Sequence, residues 1–360
     1  MKMMVAPTLV LCSGAFGASI LPGDLFIQRV GVPGSAYTSG QSAQVFVDEY
    51  TRSGVLVQTF NVTQQLLTAG FNYTNSISSR SEGHLNLSTD GKYLTLIGYN
   101  APVGVGSIAS TIAGAGANQF LRAVATVDGS NGTISGFTVG NNGLNSNNAW
   151  SGDNPRSAIR DSNGQYWGSG NANTPGSTGG VWSFRAPASG TAATNVTQQT
   201  QSGSTNTRNT RNIEIFNGQL YVTTSNATFI GLDKVGTGTP TANTNQTMTR
   251  IINPGSTASP IGFSISPDGN TIYMADDRTG GGGGIQKWTM SGSSFTLAYT
   301  LSAGLNFLLS DLNPLMVATE SGVRGLYVDW TGANPEMWAT TPLVSTGSRI
   351  RAPARYSANW

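Results

Sequence analysis

The chain has 360 residues, of which 10% are charged and 38% are apolar, and its formal net charge is +2. This length suits a single large all-β domain, and the apolar content excludes a disordered chain. The small charge is spread along the sequence without a run of Lys or Arg, which argues against binding to nucleic acid or to an anionic membrane. The 47 glycines favour many short strands joined by polar turns, and no long helical period is found.

The first element is a predicted export signal over residues 1–18. Lys2 precedes the weakly apolar residues 3–20, and residues 15–17 place small side chains at the two positions that determine cleavage. The alternative is a buried N-terminal segment. Removal of the signal would also remove Cys12, so the mature chain would have neither a disulfide nor thiol chemistry. We therefore expect a secreted, cell-surface or periplasmic protein with one domain over residues 19–360, and no further segment long enough to span a membrane.

A repeated unit follows. A strand-like run, a tight turn and a second run with an aromatic residue recur along the chain. The turn glycines are Gly91, Gly164, Gly218, Gly269 and Gly332, at intervals of 73, 54, 51 and 63 residues. Most of these turns are Asn-Gly or Asp-Gly, which tolerate the positive φ angles of a tight hairpin. Several copies continue into another pair of strands, as in residues 285–288 and 295–299, so each repeat has the size of a four-stranded propeller blade.

The two ends of the chain are expected to share one blade. Residues 24–28, 45–49 and 54–58 look like the second, third and fourth strands of a blade without a first strand. Residues 350–356 look like a first strand with nothing after it. Joining them would close the ring and remove exposed sheet edges. The sequence thus predicts an all-β propeller with six blades, or seven if another blade lies in residues 301–320 or in the 73-residue interval.

One copy of the repeat resembles a known family. Residues 266–275 read S-P-D-G-N-T-I-Y-M-A, which resembles the S-P-D-G-x-x-x-Y-V-A blade signature of YVTN-type and lactonase-type propellers. The other copies match this signature more loosely. The resemblance implies a propeller and raises a hydrolase or lactonase as one expectation. It says little more about activity, because propellers support many unrelated functions.

Arginine residues recur at the position where the first strand of a blade begins. In a propeller this strand lines the central channel. Aligning the repeats on their turn glycines places four arginines there: Arg156, Arg211, Arg324 and Arg351. A ring of guanidinium groups would bind a carboxylate, phosphate or sulfate through charge-assisted hydrogen bonds. The alternative is that each arginine ties its blade to a neighbour through backbone carbonyls or through a nearby carboxylate, Glu82 or Glu214.

Two further features are candidates for chemistry. His84, the single histidine, is expected on a first strand, where it would act as a general base or contact a ligand. Asp276 and Asp277 precede five consecutive glycines in a loop expected on the same face as the arginines. With one histidine and no cysteine in the mature chain, a metal site would be oxygen-rich, which suits calcium. The alternative is that this loop is a plain surface connection.

Tryptophans in strand-like runs are expected to pack between blades, because large apolar side chains at period two form the inter-blade core. The alternative is that they form platforms for stacking on sugar rings. These residues are Trp167, Trp182, Trp288, Trp330 and Trp338. Trp150 lies in the polar residues 141–152 and is expected to be exposed. An exposed aromatic side chain of this kind would suit stacking on a sugar ring.

Three classes of function remain open from the sequence. The leading hypothesis is a secreted or cell-surface propeller that binds a ligand or partner at its arginine-lined face. The partner would be a small molecule, a glycan or a protein, and the group that is bound would be anionic or a carbohydrate. The alternative is a calcium-dependent hydrolase or lactonase-like enzyme at the channel mouth, with the ion near Glu82, Glu214 or Asp276. The third is a structural exoprotein of a sheath or matrix, for which the low charge suits extended surface contacts.

Overall fold

The structure is a computed structural model that describes most of the chain after residue 18. The described residues are 19–114, 117–140, 148–172, 178–186, 193–197, 209–242, 246–278, 282–302, 322–340 and 353–357, the last of these for the backbone alone. The predicted export signal, Arg351 and most of residues 301–320 lie outside them.

The N-terminal residues form a three-stranded antiparallel sheet. Its strands are β1 (Leu25–Val30), β3 (Val45–Tyr50) and β4 (Leu56–Asn61), in the order β1-β3-β4. Between them β2 (Ser42–Ala43) leaves the sheet and pairs with β5 (Asn75–Ser76). A short helix, α1 (Val62–Thr68), begins at Asn61, whose side chain accepts a hydrogen bond from the amide of Gln64 at 3.0 Å and so caps the helix.

Five blades built from consecutive strands follow this N-terminal sheet. The first blade contains β6 (Asn86–Leu87), β7 (Tyr93–Tyr99), β8 (Arg122–Asp128) and β9 (Ile134–Val139), and the second contains β10 (Pro155–Arg160), β11 (Gln165–Gly170), β12 (Gly180–Arg185) and β13 (Thr194–Asn195). The third contains β14 (Thr210–Phe216), β15 (Gln219–Thr224), β16 (Gly231–Val235) and β17 (Met248–Ile252). The fourth contains β18 (Pro260–Ile265), β19 (Thr271–Asp276), β20 (Gly284–Ser291) and β21 (Ser294–Leu301), and the fifth contains β22 (Leu326–Asp329), β23 (Glu336–Thr340) and β24 (Pro353–Ser357). In the described part of the chain, two single 3₁₀ turns (Ile108–Ser110 and Ala227–Phe229) complete the regular structure, and no helix there is long and apolar enough to cross a membrane.

Four of the five predicted hairpin turns confirm the prediction from turn chemistry, whereas Gly332 does not adopt a positive φ angle. Gly91, Gly164, Gly218 and Gly269 lie between the first and second strands of their blades with φ angles of 70°, 78°, 72° and 74°. A side chain in this left-handed region is strained, whereas glycine adopts it freely. These four turns therefore fix the position of the innermost strand relative to the next one.

The hydrophobic core lies between neighbouring sheets rather than within any one of them. Along β7, Leu94 and Leu96 pack against the N-terminal sheet, whereas Ile97 packs against the second blade. The same alternation continues around the molecule, because successive side chains of a strand point to opposite faces of its sheet. Trp167, Trp182 and Trp288 belong to these clusters as predicted.

Trp150 contradicts the expectation of an exposed aromatic side chain. It is fully buried between the first and second blades, packs against Trp182 and Phe184, and donates a hydrogen bond from its indole to the carbonyl of Gly180 at 2.9 Å. Gly168 and Gly170 of β11 leave the space for the ring, since a Cβ at either position would lie within 2.6 Å of it. The polar residues around Trp150 in the sequence gave the wrong expectation because its packing partners lie in other segments.

The blade count and the closure of the ring also differ from the prediction. The chain has five blades rather than six or seven, because the last strand β24 pairs with β23 and not with the N-terminal strands. The pairing of Met337 with Tyr356 and of Ala339 with Ala354 covers the open edge of β23 within its own blade. The composite blade is therefore absent. The N-terminal sheet stands as a separate element beside the first blade.

Candidate functional site

Three of the predicted arginines come together at one end of the channel. Arg156 lies in β10, Arg211 in β14 and Arg324 two residues before β22, each near the start of the innermost strand of its blade. All three guanidinium groups are largely buried, and burial is the main cause that lowers the pKa of Arg156 and of Arg211. We name these three residues the arginine row. The fourth candidate, Arg351, lies outside the described residues.

Arg156 is a buried cation whose hydrogen-bond partners are neutral. Its Nη1 donates to the carbonyl of Thr210, at 3.1 Å, and to Oδ1 of Asn209, which ties the second blade to the third. Its Nε is buried and has no hydrogen-bond partner in the described part of the chain. Burial and the neighbouring Arg211 lower the pKa of Arg156 to about 9, while Asp153 and Glu82 act in the opposite direction from a distance.

Asp277 joins the other two members of the arginine row. Its Oδ1 lies 3.7 Å from Nη1 of Arg211, and its Oδ2 forms an ion pair with Nη2 of Arg324. Arg211 also donates to Oγ of Ser259 at 2.8 Å, so it reaches the fourth blade as Arg156 reaches the third. Arg156 and Arg211 therefore do tie neighbouring blades together, which was the alternative interpretation of the arginines in the sequence. These contacts leave Nε of Arg211 buried and, among the described residues, unpartnered.

Asp276 and Asp277, proposed from the sequence as calcium ligands, both face arginine side chains. Asp276 accepts from Nε of Arg278 at 3.0 Å and forms an ion pair with Nη2 of Arg278 at 2.8 Å. Asp277 faces the arginine row. In the described residues no group of three or more His, Cys, Asp or Glu side chains is arranged to hold a metal ion. The geometry of these two carboxylates is that of ion pairs, in which guanidinium groups take the positions of a cation.

Glu82 lies buried beside the arginine row, and the donors that contact it from the described residues are all neutral. Its carboxylate accepts hydrogen bonds from the hydroxyl of Tyr99 at 2.6 Å, from Nδ2 of Asn75 at 3.1 Å, from the amide of Ser76 at 2.9 Å and from Nδ2 of Asn154. Burial raises the pKa of Glu82, and these four hydrogen bonds oppose the increase. Asn154 precedes β10 by one residue, so it connects Glu82 to the strand that carries Arg156.

His84 lies where the sequence placed it, at the start of the innermost strand of the first blade. It is buried, and its backbone amide donates to the carbonyl of Arg156 at 3.2 Å in a parallel bridge between the first and second blades. A second such bond joins Thr89 to the carbonyl of Arg160 at 3.0 Å. The position of His84 thus helps to hold the innermost strands of these two blades together.

Glu214 lies deeper along the channel than the arginine row. Its Oε1 accepts a hydrogen bond from Nδ2 of Asn212 at 2.9 Å, and Oδ1 of Asn212 accepts from Oγ of Ser157 at 2.9 Å. Burial raises the pKa of Glu214 to about 8, which the single hydrogen bond from Asn212 only partly opposes. Beside this group, Nδ2 of Asn86 contacts Oγ of Ser157 and the carbonyls of Ala158 and Ile213, and so connects three blades.

Sequence reasoning missed the residues that organise this end of the channel. Tyr99 and Asn154 donate hydrogen bonds to Glu82 but lie 17 and 72 residues from it in the sequence, and neither belongs to a recognisable motif. Arg122 is the largest omission: it is fully buried and donates at 2.8–2.9 Å to the carbonyls of Phe120, Thr111, Trp150 and Asp153. Its guanidinium group also lies 4.8 Å from the centre of the Tyr99 ring. These carbonyls take the Nη donors of Arg122, whereas its Nε, like that of Arg156, is buried without a hydrogen-bond partner among the described residues.

The fold and this site together define a β-propeller with a row of buried arginines at one mouth of its channel. No family model matches the chain, and no curated protein matches it.

Among solved structures, the chain is similar to the periplasmic gluconolactonase PpgL of Pseudomonas aeruginosa, with 14% identity, 93% of this chain and 84% of that chain covered, and a TM-score of 0.45. It is also similar to a putative 6-phosphogluconolactonase from Bacteroides uniformis, with 12% identity, coverages of 92% and 82%, and a TM-score of 0.44. A gluconolactonase from Xanthomonas campestris has 9% identity, coverages of 91% and 96%, and a TM-score of 0.45.

Proposed function

We propose that this protein is an extracellular or periplasmic propeller that binds an anionic group of a small molecule, a glycan or a protein at the arginine row. The observation that carries the proposal is the pair formed by Arg156 and Arg211. Each has a buried Nε without a hydrogen-bond partner among the described residues, and Arg211 lowers the pKa of Arg156. Two buried like charges repel each other, and an anion between them would relieve the repulsion.

The chemistry of the site suits an oxyanion. A guanidinium group offers donors in a planar fork that matches a carboxylate, phosphate or sulfate, and such charge-assisted bonds are the strong ones. Arg156 forms no ion pair with a carboxylate of the described residues, because the ion pairs at this mouth involve Asp276 and Asp277. Arg156 is therefore the member of the row with the most to gain from a bound anion.

Isothermal titration of sulfate into the protein, at constant ionic strength against chloride, tests this proposal. We expect Arg156→Ala and Arg211→Ala each to weaken sulfate binding by about tenfold or more, which corresponds to one lost charge-assisted hydrogen bond. The control is Arg250→Ala, because Arg250 is exposed and makes one hydrogen bond, to the carbonyl of Thr228. Equal sulfate binding in all four proteins would contradict the proposal.

A hydrolase that acts within the same channel is the second candidate, and Glu214 is the observation that favours it. A carboxyl group with a pKa of about 8 exchanges protons near neutral pH, as a general acid or base must. The resemblance of residues 266–275 to lactonase-type propellers agrees with this candidate. Hydrolysis of a panel of sugar lactones by the wild type, and its loss in Glu214→Gln with unchanged sulfate binding, would support it. A wild-type protein without hydrolysis of any lactone in the panel would argue for binding alone.

A further inference from the structure

A small cavity beside Glu82 has walls that present hydrogen-bond acceptors. Its volume is about 20 Å³, enough for one group of the size of a water molecule. Gln28, Ser79, Glu82 and Gly83 line it. Asn154 donates to both Ser79, at 3.1 Å, and Glu82, so the cavity lies at the same end of the channel as the start of β10.

Gln28 supplies a buried acceptor without a donor. Its side chain is only 6% exposed, and its Nε2 donates to Oδ1 of Asn75 at 3.2 Å. Its Oε1 is buried and has no hydrogen-bond partner within the described ranges. The neighbouring Gly83 leaves the amide room, because a Cβ there would lie 2.9 Å from Nε2 and 3.6 Å from Oε1 of Gln28. A buried carbonyl oxygen of this kind lacks the donor that buried polar atoms normally have.

Among the described residues, Glu82 is the one titratable side chain that lines this cavity. The four donors to Glu82 are two amides, a phenol and a backbone N–H, none of which carries a charge. Together with Oε1 of Gln28, this carboxylate would favour a guest that donates hydrogen bonds and carries a positive charge. A primary ammonium group, with three donors on one small atom, meets both conditions.

We propose that the cavity at Glu82 and Gln28 receives the ammonium group of a zwitterionic ligand whose anionic group binds Arg156 and Arg211. This inference rests on the proposed function and names its ligand class. The two subsites are joined through one short segment: Asn154 contacts Glu82, and Arg156 lies two residues further along the chain. Because the two charged groups of the ligand would contact different residues of this segment, we expect an ω-amino acid with several methylene groups rather than an α-amino acid.

Three carboxylates test this ligand class by calorimetry: ε-aminocaproate, hexanoate and glycine. Hexanoate has the chain length of ε-aminocaproate without the ammonium group, and glycine has both charges too close together. We expect the wild type to bind ε-aminocaproate about tenfold more tightly than either of the others, which corresponds to one charge-assisted hydrogen bond. Glu82→Gln and Gln28→Met should each reduce the preference for ε-aminocaproate over hexanoate, whereas Arg250→Ala should keep it.

The outcomes separate this inference from the proposed function. Gln28→Met removes one cavity acceptor and leaves the four hydrogen bonds of Glu82 in place, so it remains informative if Glu82→Gln fails to fold. Equal affinities of the wild type for ε-aminocaproate and hexanoate, with sulfate still bound, would overturn the ammonium subsite and leave the anion site standing. Failure of the wild type to bind sulfate or any of the carboxylates would overturn both.

Discussion

Nη2 of Arg52 lies 2.5 Å from Oδ2 of Asp329, an ion pair that joins the N-terminal sheet to the fifth blade. The same guanidinium group lies 3.6 Å from Glu336 and 5.5 Å from the centre of the Trp338 ring. Because β24 pairs within the fifth blade, these side-chain contacts link the two ends of the described chain where a shared strand was expected.

Replacement of Arg52 by alanine should lower the free energy of unfolding by roughly 1 kcal/mol. The Arg52 side chain is 44% exposed, so its ion pairs are partly screened, and the stacking on Trp338 adds a contribution of similar size. Denaturant unfolding at low salt measures the loss. The same change at Arg250, which is exposed and forms no ion pair with the described residues, should cost less. Equal losses would mean that Arg52 does not connect the two elements.

Asp233 should destabilise the protein as the pH rises. It is fully buried, both of its carboxylate oxygens lack a partner among the described residues, and burial raises its pKa to about 8. Between the ordinary carboxyl pKa and about 8, the folded state holds a proton that the unfolded state has released. Stability therefore falls across this window by ~1.4 kcal/mol per pH unit for this group.

Asp233→Val should be more stable than the wild type at pH 7, and the difference should shrink at pH 4. The valine would pack beside Val222, which lies opposite it in β15. A contrasting variant is Asp268→Asn: hydrogen bonds from Ser266 and Asn270 lower the pKa of Asp268, so the stability it contributes is present at neutral pH and lost in acid. Thermal melts measure both, over pH 2 to pH 4 for Asp268 and over pH 4 to pH 8 for Asp233. A wild-type stability that rises through this range in step with Asp233→Val would contradict the assignment.

Asn86→Ala should cost about 2 kcal/mol of stability, because the carbonyl of Ile213 would lose its donor from Asn86 inside the channel. The carbonyl of Ala158 would keep a hydrogen bond from Thr95 at 2.6 Å. Asn131→Ala is the matched change at an exposed turn, where the side chain accepts one bond from the amide of Thr133. The unfolding midpoints of the two variants in urea measure the difference. An Asn86 variant as stable as the Asn131 variant would show that the bridge between three blades contributes little.

Sulfate affinity should decline as the pH rises through about 9, because Arg156 would then lose its charge in the unliganded protein. The bound anion stabilises the charged form, so binding should be accompanied by proton uptake near this pH. Calorimetry in two buffers of different ionisation enthalpy measures that uptake. Affinity that stays constant from pH 7 to pH 10 would exclude Arg156 as the group that titrates.

The hairpins were predictable from the sequence because their signals are local. The turn glycines and the alternating runs beside them act over a few residues, and β20 and β21 lie where residues 285–288 and 295–299 predicted strands. The partner of residues 353–357 was not predictable in this way. A short extended segment presents the same alternation to any open sheet edge, so the sequence could not distinguish β23 from the N-terminal strands.

The candidate site was predictable where it repeats and unpredictable where it does not. Arg156, Arg211 and Arg324 lie at equivalent positions of their blades. Asp277 contacts Arg211 and Arg324 because its loop lies on the same face of the propeller, as the sequence predicted. The hydrogen bonds of Glu82 join positions as far apart as 72 residues, from Asn154. Oε1 of Gln28, the acceptor without a partner among the described residues, belongs to the N-terminal sheet. The repeats do not indicate that this sheet packs beside the first blade.

Location of a bound anion in crystals is the most direct test of the central claim. Crystals grown without sulfate and soaked in selenate would show the anion by its anomalous signal. We predict a selenium peak within hydrogen-bond distance of Arg156 and Arg211, and its absence in Arg156→Ala crystals soaked in the same way. A wild-type crystal with selenate only at exposed lysines or arginines, and none at this pair, would contradict the account.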